Sequence, residues 1–314
     1  MLNGKRYLLI AGGGTLGTYT SNEILRLGGQ VDVICPEEKV SHDERLVFHQ
    51  SLVSDQLLKE LFAHTHYDGI VNFIHYQNAE DYKKVHPLLI QNTDHLIFLS
   101  SYRVYADEQH PITESAPRLL DVSKDENFLA TETYALPKAK CEDYLRSEWA
   151  GAPWTIVRPV ISFSSRRLDL LLYSGRRVLD YAESGEEMLM PELVKNYAAG
   201  IDWAGNSGKL IANLLSKPHT MGQAYTIYSG HGMTWGQVAN DYAELTGVKI
   251  RWCDEEEHVK SLPQGIMVAW RYDRRFNRDI DPSAILEATG LTRGDFATVK
   301  EGIRHELDVL GWKR

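Results

Sequence analysis

The chain has 314 residues, 43% apolar and 25% charged, a composition that suits a soluble globular protein of one large domain or a domain with an appendage. A net charge of −9 argues against a sequence-wide surface for nucleic-acid phosphates. Three widely spaced cysteines (Cys35, Cys141, Cys253) argue against a disulfide scaffold or a cysteine zinc site, and no apolar run approaches the roughly 18 residues of a membrane span.

The first residues carry no signal-peptide core and lead straight into an apolar strand at 7–10, so a cytoplasmic location is expected. Gly12-Gly13-Gly14-Thr15-Leu16-Gly17 follows and opens a helix over 16–27. Glycines at such a turn let a pyrophosphate approach the amides of the helix N-terminus. Gly12, Gly14, Thr15, Leu16 and Gly17 are therefore expected to bind a dinucleotide. A second strand, 31–34, runs into Cys35-Pro36-Glu37-Glu38-Lys39. Glu37 suits ribose hydroxyls and hence NAD, whereas Lys39 suits a 2′-phosphate and hence NADP. NAD is the expected cofactor, with NADP left open.

Strands at 46–48 and 70–74, helices at 55–63 and 80–91, and a strand at Leu96–Leu99 continue the alternation. Ser101 falls just past that last strand, at the carboxyl edge where ligands bind in parallel sheets. A helix over 134–149 begins with Tyr134-Ala135-Leu136-Pro137-Lys138, and a strand at 155–157 ends in Arg158-Pro159. A free phenol, with a pKa of about 10, is a poor base near neutrality. An ammonium one helical turn away lies on the same face and favours the ionised phenol. Pro137 is tolerated in the first turn, where its missing N–H has no partner to lose. Ser101, Tyr134 and Lys138 are thus the expected catalytic set, with Ser101 holding the substrate oxygen while Tyr134 takes its proton.

Continuous apolar strands alternating with helices predict a Rossmann-like, doubly wound α/β fold. Residues 1–160 read as the NAD(P)-binding domain. After Pro159 the rhythm changes to a helix at 196–215, a strand at 224–228 and helices at 234–245, 282–289 and 296–310. Residues 161–314 read mainly as a smaller, mixed substrate-binding lobe, with segments at about 195–230 returning to the first domain. His42, His49, His64, His66 and His75 match no metal-ligand spacing, so no metal is expected.

The order of these motifs resembles the extended short-chain dehydrogenase/reductase superfamily, in its NAD-dependent epimerase/dehydratase group. The resemblance runs from residue 7 to about 290 through the glycine loop, Asp68-Gly69-Ile70-Val71, Phe98-Leu99-Ser100-Ser101-Tyr102-Arg103-Val104-Tyr105 and Pro111-Ile112-Thr113-Glu114. It continues in Tyr134 with Lys138, Trp154-Thr155-Ile156-Val157-Arg158-Pro159 and Asp281-Pro282-Ser283. It implies cofactor contacts at Ser51, Leu52, Ile74, His75 and Pro159, and substrate contacts at Tyr102 and Arg103. An arginine of the cluster Arg271, Arg274, Arg275 and Arg278 would meet a substrate diphosphate, with Arg271 and Arg278 the expected contacts and Arg166-Arg167 and Arg176-Arg177 as second candidates. Departures from the family pattern fall at Ala11, Ser51, Ile74-His75 and Ala106.

The resemblance implies hydride transfer at a hydroxyl-bearing carbon, of a phosphate-bearing small molecule such as a nucleotide sugar or related polyol. Tyr102-Arg103 replaces the carboxylates that a 4,6-dehydratase carries after its serine, which disfavours dehydration. A ketone reductase of a small metabolite, or a non-catalytic nucleotide- or RNA-binding protein on the same fold, are the competing functions. Net charge counts against an RNA partner. Relatives commonly dimerise through helices equivalent to 80–91 and 134–149, which leaves a homodimer open here.

Overall fold

The computed structural model describes residues 2–262 and 265–313. Seven parallel strands form the central sheet: β1 (Arg6–Ile10), β2 (Gln30–Cys35), β3 (Leu46–Gln50), β4 (Gly69–Asn72), β5 (Leu96–Leu99), β6 (Trp154–Pro159) and, much later in the chain, β10 (Gln223–Ile227). Their spatial order is β10-β6-β5-β4-β1-β2-β3. The order reverses between β1 and β4, which opens a crevice at the carboxyl ends of those strands. The architecture is the predicted doubly wound α/β fold.

Strand alternation explains why these runs are apolar throughout. Leu9, Val33, Val71, Ile97 and Val157 face one layer, and Leu8, Ile10, Ile34, Ile70, Phe98 and Ile156 face the other. Helices α1 (Thr15–Arg26), α8 (Ala204–Leu214) and α12 (Ser283–Thr289) belong to the first layer. Helices α2 (Asp55–Phe62), α3 (Ala79–Ile90) and α6 (Ala135–Glu148) belong to the second. With both faces covered, nearly all residues of these inner strands lose water, which is the main force holding the sandwich.

Short helices α4 (Leu119–Val122) and α5 (Glu126–Thr131) lie between β5 and α6. Beyond β6 come two small parallel pairs: β7 (Ile161–Phe163) with β9 (Ile201–Trp203), and β8 (Glu187–Pro191) with β11 (Lys249–Cys253). Helices α7 (Arg177–Ser184), α9 (Trp235–Thr246), α10 (Glu255–Ser261) and α13 (Val299–Val309) pack with them around Phe163, Met188, Trp235 and Trp270. Helix α11 (Met267–Ala269) runs into a π-helical turn at Trp270–Arg274. Among the described residues no helix is long and apolar enough to cross a membrane.

Two expectations are corrected here. The helix expected over 196–215 forms only at Ala204–Leu214, because the chain before it turns and makes β9. Gly200 has φ +55°, and a Cβ there would sit 2.6 Å from that of Arg278. Asp202 then collects the Ser229 and Trp203 amides and the Asn206 side chain, which fixes an extended backbone. The strand expected at 70–74 stops at Asn72, whose side chain accepts the Ile74 amide and turns the chain.

Candidate active site

A cleft of about 420 Å³ lies at the crevice between the carboxyl ends of β1, β4, β5 and β6. Gly14, Thr15, Leu16 and Gly17 form one wall, Ser101, Tyr102, Arg103 and Tyr134 another, and Phe73 and Pro159 lie between. The cleft thus gathers residues from four separate strand ends that are far apart in the chain.

The glycine wall is stripped of side chains. A Cβ on Gly17 would lie 2.1 Å from the Gly12 carbonyl oxygen, so strand and helix can meet this closely only without one. Gly14 faces open space, with nothing within 4 Å of a Cβ placed on it. It caps α1 without a side-chain bond, and the first turn carries no acidic residue. The first amides of α1 therefore point toward the cleft without a local acceptor, an arrangement suited to an anion. Gly12 lies behind this surface, packed against Leu9, and supports the loop without lining the cleft.

Across the cleft, Ser101 is buried and its hydroxyl accepts the Arg103 amide at 3.2 Å, at the head of a 3₁₀ turn over Tyr102–Val104. Tyr134 precedes α6, and Lys138 projects from its first turn beside it, with Nζ 5.4 Å from the phenol ring centre. The Lys138 ammonium donates to the Leu99 carbonyl at 2.7 Å, which ties α6 to the end of β5. Burial pushes the Lys138 pKa down, opposed by the Tyr134 oxygen. The Arg103 guanidinium lies 4.6 Å over the Tyr134 ring, and the His75 ring stacks on Tyr134 with centres 4.9 Å apart.

Beneath the site runs a buried ionic network. Glu142, one turn beyond Lys138, accepts Arg158 Nε at 2.9 Å and the Ser100 hydroxyl. Arg158 also reaches the Tyr105 hydroxyl and the Glu114 carbonyl, both at 2.8 Å. Burial alone would raise the Glu142 pKa, but the Arg158 charge and hydrogen bonds outweigh it and hold the carboxyl below its ordinary range.

Several expected contacts lie elsewhere. Ile74 packs with the hydrophobic layer of β4 and α3 and does not line the cleft. Ser51 and the exposed Leu52 stand past β3, outside the cleft, where Ser51 donates to the Leu52 carbonyl. Glu37 does not line the cleft, but it stays beside the glycine loop, exposed beyond β2 with its carboxylate against Gly13. Arg271 is exposed and does not line the cleft. Arg278 is 2% exposed and holds the Tyr105 carbonyl and Asp273, a structural duty that leaves it no access to substrate. Arg274 and Arg167 line the cleft in their place. Sequence spacing had marked both clusters, but not which member turns inward.

A segment from the second lobe crosses the glycine loop. Ser164 bonds Thr15, with the two hydroxyl oxygens 2.9 Å apart. Arg166 and Lys39 both donate to the Gly13 carbonyl, at 3.1 and 2.6 Å.

The sheet order and the bare loop at the switch point define a Rossmann-like α/β protein with a second, mixed lobe. No family model matches the sequence, and no curated protein is similar to it. Solved structures are similar over nearly their whole length. The epimerase Mth375 of Methanothermobacter thermautotrophicus covers 99% of this chain and 93% of its own, with a TM-score of 0.71 and 13% identity. The UDP-N-acetylglucosamine 4-epimerase of Bacillus cereus covers 99% and 98%, with 0.68 and 16%. The Bordetella bronchiseptica enzyme WbmG, solved with NAD and UDP, covers 97% and 94%, with 0.68 and 15%. At these identities the likeness establishes a shared fold.

Proposed function

We propose that the protein is an NAD-dependent oxidoreductase or epimerase acting at a hydroxyl-bearing carbon of a nucleotide sugar. The observation that carries this reading is the convergence of Ser101 and Tyr134, with Lys138 beside them, on a cleft whose opposite wall is the bare glycine loop. The residues fit a dinucleotide: the uncapped amides of Thr15, Leu16 and Gly17 would take its diphosphate, and Glu37 at the end of β2 would take ribose hydroxyls. Lys39 and Arg166, both held on the Gly13 carbonyl, are cations in that region that favour NADP, and parallel titrations with NADH and NADPH decide between the two. When bound, the nicotinamide supplies the hydride acceptor and donor.

The chain's own residues manage the proton. Ser101 donates a hydrogen bond to the substrate oxygen, and the Tyr134 oxygen, in its ionised form, accepts the proton of the substrate hydroxyl as the hydride leaves the carbon. Lys138 steadies the negative charge that the phenol oxygen carries before it takes this proton, from a position fixed by its bond to the Leu99 carbonyl. Structures of similar fold include NAD-bound and UDP-bound enzymes and UDP-sugar epimerases, which supports a nucleotide sugar as the substrate.

The test is Tyr134→Phe, assayed with NAD and with UDP-hexoses and UDP-N-acetylhexosamines, following interconversion by chromatography. Turnover is expected to fall about 10²–10⁴-fold, the usual contribution of a general base, while calorimetric binding of NAD is retained. Unchanged turnover, or wild-type protein that binds neither NAD nor NADP, overturns the proposal.

A further inference from the structure

The cleft is lined by three arginines, Arg103, Arg167 and Arg274, and by no acidic residue. The carboxylates that could balance them are set behind the wall and are already shared. Asp169 pairs with Arg167. Asp273, 1% exposed, faces Arg103, Arg274 and Arg278 together, and also accepts the Tyr102 hydroxyl at 2.6 Å. Three guanidiniums against one carboxylate leave two uncompensated positive charges, in a partly buried place where water screens them poorly.

The arrangement is held in position by costly local structure. Arg274 stands at the end of the π-helical turn, a rare conformation that recurs at functional sites. Its Nε donates to the Leu171 carbonyl at 2.8 Å, and Leu171 adopts φ +56°, a region leucine seldom enters. Its Nη1 donates to the Tyr102 hydroxyl at 2.9 Å. Arg103 Nε is buried without a hydrogen-bond partner among the described residues, and it lies 3.4 Å from Asp273. Asp273 offsets only part of this charge, and strained backbone with crowded like charges of this kind is found where a site is prepared for a ligand.

Position says which anion. The amides of the glycine loop occupy the opposite wall and suit the diphosphate of a dinucleotide. Arg103 instead lies 4.6 Å over the ring of Tyr134, next to the group assigned to proton transfer. The diphosphate of a nucleotide sugar leaves from the opposite side of the ring from such a carbinol, so an anion carried beside the carbinol suits this arginine better.

We infer that the substrate carries an anionic group, a carboxylate or a phosphate ester, in the substituent on the carbon next to the reacting carbinol, and that Arg103 and Arg274 bind it. This rests on the reading of the cleft as a carbinol-oxidising site and narrows its substrate to an acidic sugar, such as a uronate or a sugar phosphate. A planar guanidinium offers two parallel donors to either anion.

The experiment compares matched ligands on the NAD-loaded protein by calorimetry: UDP-glucuronate against UDP-glucose, and glucose 6-phosphate against glucose. The first pair differs only in a carboxylate and the second only in a phosphate, so the pairs separate the two anion sources. In at least one pair the acidic ligand is expected to bind tenfold or more tightly. Arg103→Gln removes that advantage and Arg103→Lys restores part of it, which a purely structural role for Arg103 would not produce. Both pairs flat in the wild type, or an advantage that survives Arg103→Gln, overturns the inference. Failure of the underlying reading looks different: NAD does not bind at all, or Tyr134→Phe leaves turnover intact. With NAD bound and both pairs flat, only the anion assignment falls.

Discussion

At the scale of single residues, the glycine loop contains one misfit. Ala11 takes φ +55° where the resembled family places glycine, and it also lines the cleft. The left-handed region costs an L-residue roughly 1–2 kcal/mol. Glycine avoids that cost but gives back about 0.4–1 kcal/mol through the greater freedom of its unfolded chain. Ala11→Gly is therefore expected to stabilise the protein by about 0.5 kcal/mol, read as a higher urea midpoint at unchanged slope. A lower midpoint would mean that the Ala11 methyl makes a packing contribution larger than its strain. The catalytic candidates show the same dependence on local backbone: Ser101 and Tyr134 each sit just before a helical turn, in positions whose side chains project outward from the sheet edge.

At the scale of elements, α6 is held to the sheet by charge as well as by apolar contact. Glu142 and Arg158 are both essentially buried, and they join α6 to β6 directly below the Lys138 turn. Removing one partner strands the other's charge in the interior, which costs about 3–5 kcal/mol, whereas replacing both with apolar residues is far milder. Glu142→Gln should lower stability by that amount at pH 7, and Glu142→Leu combined with Arg158→Met by much less, both measured by urea unfolding. The pH dependence has a definite sign. Because the folded Glu142 carboxyl titrates below its unfolded value of about 4.3, its contribution is complete above that pH and fades as pH falls through the folded pKa. The gap between wild type and Glu142→Gln should therefore narrow on acidification below about pH 4.3, and a constant gap would deny the ionic role. Elements of this kind were readable in advance where pattern decides them. Apolar runs announced six of the seven parallel strands before Pro159, and 224–228 announced the seventh. What could not be read was conformation set by distant contacts. Arg271, Arg274, Arg275 and Arg278 would share one face of a regular helix, but the π turn breaks that register. It sends Arg274 to the cleft and Arg278 into the interior, and leaves Arg271 exposed. Likewise no local signal in 196–203 reveals that Asp202 will meet the Ser229 amide from a strand end 27 residues away.

At the scale of the whole molecule, the cleft is completed by the second lobe, and a buried carboxylate, Glu306, helps hold that lobe in register. Glu306 of α13 is fully buried and accepts the Tyr19 hydroxyl from α1, the Trp203 indole N–H at 2.6 Å and the Ser165 amide at 2.6 Å. Ser165 lies between Ser164, which bonds Thr15, and Arg166, which bonds the Gly13 carbonyl. The three donors come from α1, from β9 and from the segment that crosses the glycine loop, so loss of the acceptor should loosen all three at once. Glu306→Ala leaves three partly buried donors unpaired, and at about 1–3 kcal/mol for each unsatisfied group a total near the lower end, about 3 kcal/mol, is expected after partial relaxation and entry of water. Glu306→Gln keeps one carbonyl acceptor and turns an amide toward a donor, so it should fall between wild type and alanine. If the crossing segment shapes the cofactor site, NAD affinity measured by calorimetry should fall in the same order. A Leu58→Ala variant serves as the control, because that residue is buried in the opposite layer beneath α2, away from the crossing segment. General loss of stability would weaken NAD binding in the control as much as in Glu306→Ala. A specific role for the crossing segment requires that the control bind NAD as the wild type does, and that the loss in the Glu306 variants persist at temperatures where they remain fully folded.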